Sequence, residues 1–127
     1  MADRVWFIGF GRPVPGREAA ASGLGKQAIA MFERLQAAGE IEGYETVMLD
    51  PHGGDLGSFM LVRGEAAKLA RLPMDPAWQQ LTINTAAVAE GFGIVGGATG
   101  EAYLQMLDAF VAASAAAGDL TARSSAR

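Results

Sequence analysis

The only histidine of this 127-residue chain stands between two carboxylates. His52 follows Asp50 and precedes Asp55, with Gly53 and Gly54 in between. Carboxylates can orient an imidazole or share a cation with it, so His52 is a candidate general base or metal ligand. A loop histidine that holds a turn by hydrogen bonds explains the same pattern, and we favour that interpretation. We expect no bound metal, because a transition-metal site needs more nitrogen or sulfur donors than one imidazole supplies.

Two arginines are candidate anchors for an anionic ligand. Arg12 and Arg63 each end a dense apolar run. A guanidinium at the rim of an apolar pocket can hold a carboxylate or an enolate. A surface ion pair with Asp50, Asp55 or Glu65 explains the arginines equally well.

Two aromatic residues with polar tips are candidates for the same pocket. Tyr44 and Trp78 can each line a cavity with an apolar ring and present a hydrogen-bonding group, and core packing is the alternative for each. Tyr44 and His52 are the candidates for moving a proton. The expected ligand-binding residues are Arg12, Arg63, Tyr44 and Trp78.

One glycine-rich segment matches a nucleotide-binding pattern by letters only. Residues 91–96, Gly-Phe-Gly-Ile-Val-Gly, fit G-x-G-x-x-G. The dinucleotide motif needs a strand before the glycines and a helix that opens at them, whereas here a helical pattern precedes glycines that lie inside an apparent strand. The G-x-S-x-G elbow of serine hydrolases is absent. We therefore expect no cofactor and no serine nucleophile.

Composition and charge exclude further classes of function. The chain has 10 basic and 14 acidic residues, and no Lys or Arg lies between Arg71 and Arg123, so the charge footprint of a nucleic-acid-binding protein is missing. The absence of cysteine excludes disulfides, iron–sulfur clusters and cysteine nucleophiles. No segment has the composition of a signal peptide or of a spanning helix. We expect a cytoplasmic protein that binds neither nucleic acid nor membrane.

The elements that must position these residues follow from changes of hydrophobic period along the chain. Dense apolar runs bounded by glycine and proline predict strands over residues 4–12, 42–50, 57–63 and 91–97. Apolar residues at helical spacing predict helices over 16–39, 65–72 and 101–113. Another helix starts at Pro76, because Asp75 is an N-cap residue and proline is favoured at the first helical position.

This order of elements is typical of a ferredoxin-like fold. Strand, helix, two strands, helix and strand form the split βαββαβ arrangement, an α+β fold with an antiparallel sheet and, here, an added C-terminal helix. Residues 1–113 form the single predicted domain. Residues 114–127 have few large apolar side chains and are predicted to be a disordered tail.

Both faces of the predicted sheet are apolar. In the first strand, Val5 and Phe7 alternate with Trp6 and Ile8, and the middle strands repeat this pattern. Because two helices cover one face, a monomer would expose the other as a larger apolar patch than soluble monomers usually carry. We expect a homodimer through the sheet faces. The alternative is that the last helix folds over the open face of its own chain.

The segment Asp75-Pro76-Ala77-Trp78-Gln79-Gln80-Leu81 is similar to the start of the second helix in NIPSNAP-like and antibiotic-biosynthesis-monooxygenase-like proteins. Together with the order of elements, it makes residues 4–113 resemble the dimeric α+β barrel superfamily. The resemblance implies a dimer with a pocket between sheet and helices in each protomer. The YCII-like branch uses a histidine on the first helix, but residues 16–39 contain none, so its chemistry is not implied.

The sequence predicts a small protein that binds an apolar or aromatic ligand without clear catalytic machinery. The alternative is a cofactor-independent monooxygenase or isomerase-like enzyme acting on a small aromatic or polyketide-like substrate. Catalysis needs convergent polar groups in the pocket, and the apolar elements carry few titratable residues. The position of His52 and Tyr44 relative to the pocket therefore discriminates between the two.

Overall fold

The computed structural model describes the backbone of residues 3–125 and the side chains of residues 3–118. Four strands and four helices follow one another in the predicted order, with a short 3₁₀ turn, Leu72–Met74, before the third helix. The elements are β1 (Arg4–Phe10), α1 (Glu18–Ala37), β2 (Gly43–Met48), β3 (Ser58–Gly64), α2 (Ala66–Arg71), α3 (Pro76–Val88), β4 (Gly93–Ala98) and α4 (Gly100–Ser125).

The four strands form one antiparallel sheet in the order β2-β3-β1-β4. In this register Phe7 on the central strand β1 lies opposite Leu61 on β3 and Val95 on β4. The sheet, with helices α1 and α3 joining its strands, confirms the ferredoxin-like α+β fold.

The start of α3 is fixed by its first two residues. The side chain of Asp75 accepts a hydrogen bond from the backbone N–H of Ala77 at 2.8 Å, and Pro76 occupies the first helical position, where no backbone donor is needed. The predicted N-cap is therefore confirmed. It places Trp78 in the first turn of α3, facing the core.

The core lies between one face of the sheet and helices α1 and α3. Phe32 on α1 is 1% exposed, Val62 on β3 is fully buried, and Trp78 on α3 is 5% exposed. Residues at i and i+4 of a helix share a face, which is how Ala28 and Phe32 both reach this core.

The other face of the sheet carries apolar side chains, several of which stay partly exposed. Phe7 and Phe59 stack across β1 and β3 with ring centroids 5.3 Å apart, and Val95 on β4 is 60% exposed. Helix α4 contacts the edge strand β4 but leaves its own large apolar side chains in solvent, Phe110 among them at 67% exposure. Within the described residues, α4 therefore does not close over the open face.

Helix α4 continues through most of the segment for which disorder is predicted. It runs to Ser125, whereas the predicted tail begins at residue 114. The segment is rich in alanine, which has the highest helix propensity, so it can be helical without large apolar side chains. Residues 126 and 127 lie outside the described part of the chain, and the single domain over residues 1–113 stays a prediction.

No helix among the described residues is both long enough and apolar enough to cross a membrane.

Candidate functional site

A cavity of about 880 Å³ lies between the covered face of the sheet, α1 and α3. The link between β2 and β3, residues 49–57, forms one of its walls. Most lining side chains are apolar, including Ile8, Met60 and Leu81. The charged lining residues are all exposed and therefore mark the rim of the cavity: Arg12, Glu18, Lys26, Asp50 and Asp55.

Trp78, which lines this cavity, carries a hydrogen-bond donor. Its ring is in tilted contact with Trp6 and Phe32, with centroids 6.5 Å apart in both pairs. The indole N–H of Trp6 donates to the carbonyl of Leu69 at 2.9 Å, but that of Trp78 has no acceptor among the described residues. No side-chain nitrogen there is both sealed from solvent and unpartnered, so the Trp78 N–H reaches accessible space. Ligand binding by Trp78 stays a prediction.

Arg12 stands at the rim with an unpaired guanidinium. It follows the end of β1, where its backbone carbonyl accepts a hydrogen bond from the N–H of Glu90 at 2.8 Å. The ion pairs among the described residues do not involve Arg12, although Asp50 and Asp55 lie on the same rim. The side chain is therefore free to meet an anionic group at the entrance.

His52 lines the cavity, but both of its ring nitrogens are engaged within its own loop. Its Nε2 lies 2.7 Å from the carbonyl oxygen of Leu56, and the N–H of Gly54 donates to Nδ1 at 3.2 Å. A carbonyl can only accept, so Nε2 carries the proton and Nδ1 is the acceptor. This is the hydrogen-bonded loop histidine favoured from the sequence. Neither nitrogen is available as a base or a metal ligand while the loop keeps this conformation.

Tyr44 does not reach the cavity. Its ring packs against Phe32 with centroids 5.4 Å apart, and its hydroxyl donates a hydrogen bond to the carboxylate of Glu33 on the outer side of α1. This hydrogen bond, partial desolvation and the negative charge of Glu33 raise the pKa of Tyr44 above its ordinary value of 10.0. The structure therefore separates Tyr44 from His52, and the two candidates for proton transfer do not converge.

Arg63 lies on the opposite face of the sheet from the cavity. It alternates with Val62, which faces the core, so its own side chain points to the open face. There it forms an ion pair with Glu45. The partner is Glu45 rather than Asp50, Asp55 or Glu65 because Glu45 is the diagonal neighbour of Arg63 across the β2–β3 ladder.

Five hydroxyl side chains line the cavity without having been singled out as candidates from the sequence, and three of them are engaged by backbone carbonyls. Thr82 and Thr85 on α3 donate to the carbonyls of Trp78 and Leu81 at 2.8 and 2.7 Å, and Ser58 donates to the carbonyl of Val47 at 2.8 Å. Each hydroxyl thereby uses its only hydrogen on the backbone. The helical spacing of Thr82 and Thr85 after Trp78 is the signal that could have placed them on the cavity wall.

Two further kinds of site were considered from the sequence, a metal site and a nucleotide-binding glycine turn. Within that part of the chain, no three histidine or acidic side chains are grouped closely enough to hold a metal ion. Gly91 has a φ of +62° and forms the turn after α3, while Gly93 begins β4. The glycines therefore shape a helix-to-strand turn rather than the start of a helix.

Solved structures of other proteins share this fold. A hydroxynitrile lyase from Passiflora edulis matches with a TM-score of 0.59 at 15% identity, over 80% of this chain and 97% of its own. A dimeric ferredoxin-like protein of unknown function from Jannaschia sp. CCS1 matches with a TM-score of 0.56 at 13% identity, over 74% of this chain and 95% of its own. A putative antibiotic biosynthesis monooxygenase from Chloroflexus aurantiacus matches with a TM-score of 0.52 at 13% identity, over 76% of this chain and 93% of its own.

No protein-family model and no curated protein matches the sequence. At 13–15% identity, the three structural matches concern the backbone arrangement and not the site residues. They confirm that this chain has the ferredoxin-like fold expected from its resemblance to dimeric α+β barrel proteins.

Proposed function

We propose that this protein binds one small apolar or aromatic molecule that carries an acidic group, in the cavity between the sheet, α1 and α3. The observation that carries the proposal is the combination of an apolar cavity with the free donors of Trp78 and Arg12. Trp78 lines the cavity and its indole N–H has no acceptor among the described residues, and the guanidinium of Arg12 stands at the rim without an ion pair.

The apolar lining favours a ligand whose bulk is hydrocarbon. A cavity of about 880 Å³ is large enough for a molecule of two or three rings, and small-molecule sites typically bury most of such a ligand against apolar side chains. Burial of the ligand supplies the affinity, while a few polar groups fix its orientation.

The free donors favour an acceptor on that ligand. Ser58, Thr82 and Thr85 donate to backbone carbonyls, so they offer the cavity no hydrogen. Trp78 can donate to a carbonyl, phenolate or carboxylate oxygen, and Arg12 can add a charge-assisted bond at the entrance. A carboxylate on an aromatic ring fits both groups.

Binding without catalysis agrees best with the positions of the titratable side chains. His52 would have to release the Gly54 N–H before its Nδ1 could take a proton, and Tyr44 faces Glu33 outside the cavity. A cofactor-independent monooxygenase or isomerase-like reaction needs convergent acid, base or anion-stabilising groups. Among the described residues, the acidic side chains that line the cavity all stand at its exposed rim, and His52 is engaged within its own loop, so we place binding ahead of the enzyme alternative.

We further propose that two copies associate through the open faces of their sheets. Phe7, Phe59 and Leu61 form the centre of an apolar surface, and Val95 extends it to the edge strand. Burial by a second copy would remove this surface from water with two-fold symmetry. The solved protein from Jannaschia with the same fold is described as dimeric, which supports the proposal. A cytoplasmic location stays a prediction.

The experiment is calorimetric titration with naphthoate and with its neutral methyl ester. We expect naphthoate to bind the wild type, and Arg12→Gln to weaken naphthoate about tenfold while leaving the ester unchanged, because the lost contact is charge-assisted. Arg63→Gln is the matched control, since Arg63 lies on the open face. No binding of either compound to the wild type, or an equal loss in both variants, would contradict the proposed site.

A further inference from the structure

One core-facing position of α1 carries no side chain. Gly25 precedes Ala28 by three residues and Phe32 by seven, so the three share one face of the helix. Ala28 and Phe32 are buried on that face. An apolar side chain is therefore expected at residue 25, and glycine stands there instead.

The fold supplies no packing reason for this glycine. A Cβ atom at Gly25 would meet no atom within 4 Å, so no neighbouring group needs the space. The backbone does not need it either, because Gly25 lies inside a regular helix, where glycine is less favourable than alanine. Residues that weaken an element without a structural reason are expected at functional sites. The space in front of Gly25 belongs to the cavity.

A second observation points to a ligand in the same cavity. Trp78 is 5% exposed, and its N–H has no acceptor among the described residues. Because no unpartnered side-chain nitrogen there is sealed from solvent, this N–H reaches accessible space, where a ligand can offer it an acceptor. A ligand oxygen would satisfy this donor while the rest of the ligand occupies the space that Gly25 leaves.

We propose that Gly25 determines the size of the ligand that the cavity admits. The missing side chain lets a ring of the ligand lie directly against the backbone of α1, where any larger residue would project into the cavity. This assignment rests on the proposed function and goes beyond it by naming the residue that sets ligand specificity.

The variant Gly25→Leu, with Gly23→Leu as its control, tests the assignment. A Cβ at Gly23 also meets no atom within 4 Å, and the two positions gain the same helix propensity. Gly23 is two residues away on the helix, however, and it faces a separate shallow groove beside Arg17 and Asn84. The two variants therefore differ in whether the new side chain enters the cavity.

Binding of naphthoate and of the smaller benzoate is measured by calorimetry for the wild type and both variants. We expect Gly25→Leu to weaken naphthoate at least about tenfold and benzoate clearly less, and Gly23→Leu to bind both within about twofold of the wild type. Thermal unfolding without ligand checks that both variants fold; we expect both to melt at or above the wild-type temperature.

The outcomes separate the two proposals. Unchanged naphthoate binding by Gly25→Leu, or an equal loss in Gly23→Leu, would overturn the role of Gly25 but not the proposed binding function. If Gly25→Leu does not fold, Gly25→Ala takes its place in the test. A folded Gly25→Ala protein that binds naphthoate with the wild-type affinity would also overturn the role of Gly25. If the wild type binds neither carboxylate, the proposed function itself fails.

Discussion

A side-chain carbon at Gly11 would lie 2.7 Å from the backbone carbonyl oxygen of Asp55. The same carbon would lie 3.1 Å from the carbonyl oxygen of Glu90, which accepts the N–H of Gly11 at 2.7 Å. Three segments thus meet at one glycine: the end of β1, the β2–β3 link and the turn after α3. All three border the cavity, so the shape of its entrance depends on this close approach.

Replacing Gly11 by alanine tests that approach. Because the obstructing atoms are backbone carbonyls that cannot rotate away, we expect Gly11→Ala to lower the free energy of unfolding by about 1–3 kcal/mol. Gly23→Ala is the control, since its new carbon meets nothing and the helix gains up to about 1 kcal/mol. Urea unfolding measures both. A Gly11→Ala protein as stable as the wild type would show that the three segments are not held this closely.

The second prediction concerns the loop held by His52. Replacing His52 by phenylalanine removes the bonds to Gly54 and Leu56, so hydrogen exchange at the Gly54 amide should accelerate while the Val62 amide, in the core strand, keeps its protection. Asp50→Asn leaves both bonds in place and should change neither amide. Equal exchange at Gly54 in the wild type and the phenylalanine variant would mean that the imidazole does not hold the loop.

The third prediction is a pH effect at Tyr44. Its pKa in the folded protein is raised chiefly by the hydrogen bond to Glu33. Because the folded pKa lies above the unfolded value, this hydrogen bond stabilises the fold fully below pH 10.0 and ceases to do so as the pH rises through the raised pKa. Absorbance titration of the phenol in a Tyr103→Phe background follows Tyr44 alone, since the chain has two tyrosines.

The control for Tyr44 is Glu33→Gln. It removes the negative charge and weakens the hydrogen bond, so the phenol should ionise at lower pH than in the Tyr103→Phe parent. An identical titration curve for the two proteins would show that Glu33 does not affect Tyr44 in solution.

The fourth prediction concerns association through the open face of the sheet. A carboxylate at Leu61 would be buried in the proposed dimer, so Leu61→Asp should shift the mass measured by light scattering from dimer to monomer. Gln79→Asp places the same charge on an exposed residue of α3 and should leave the dimer intact. A monomeric wild type, or a dimeric Leu61→Asp protein, would contradict association through this face.

The sequence predicts the order of the elements better than it predicts which residues share the site. Asp75 and Pro76 mark the start of α3 by local chemistry alone, so Trp78 could be placed in its first turn from the sequence. Arg63 could not be placed in the same way, because both faces of the sheet are apolar and alternation does not say which one the helices cover. Which face the helices cover determines whether the Arg63 side chain points into the cavity or lies on the opposite face, where it pairs with Glu45.

The same limit applies to the position of Tyr44. Its strand lies at the sheet edge, and only the packing of α1 shows that its ring meets Phe32 and its hydroxyl meets Glu33. The sequence also shows glycine at residue 25 of the first helix without a reason for it. The open space in front of that residue depends on how far α1 stands from the sheet, which no local pattern encodes.

The most direct test of ligand binding in the cavity uses the two tryptophan indole resonances. In a nitrogen–proton correlation spectrum, naphthoate should shift the Trp78 indole signal, identified from Trp78→Phe, as its N–H gains an acceptor. The Trp6 signal should move much less, because that N–H already donates to Leu69. A Trp78 signal that stays in place at saturating naphthoate, with shifts confined to Phe7 and Leu61 on the open face, would contradict ligand binding in the cavity.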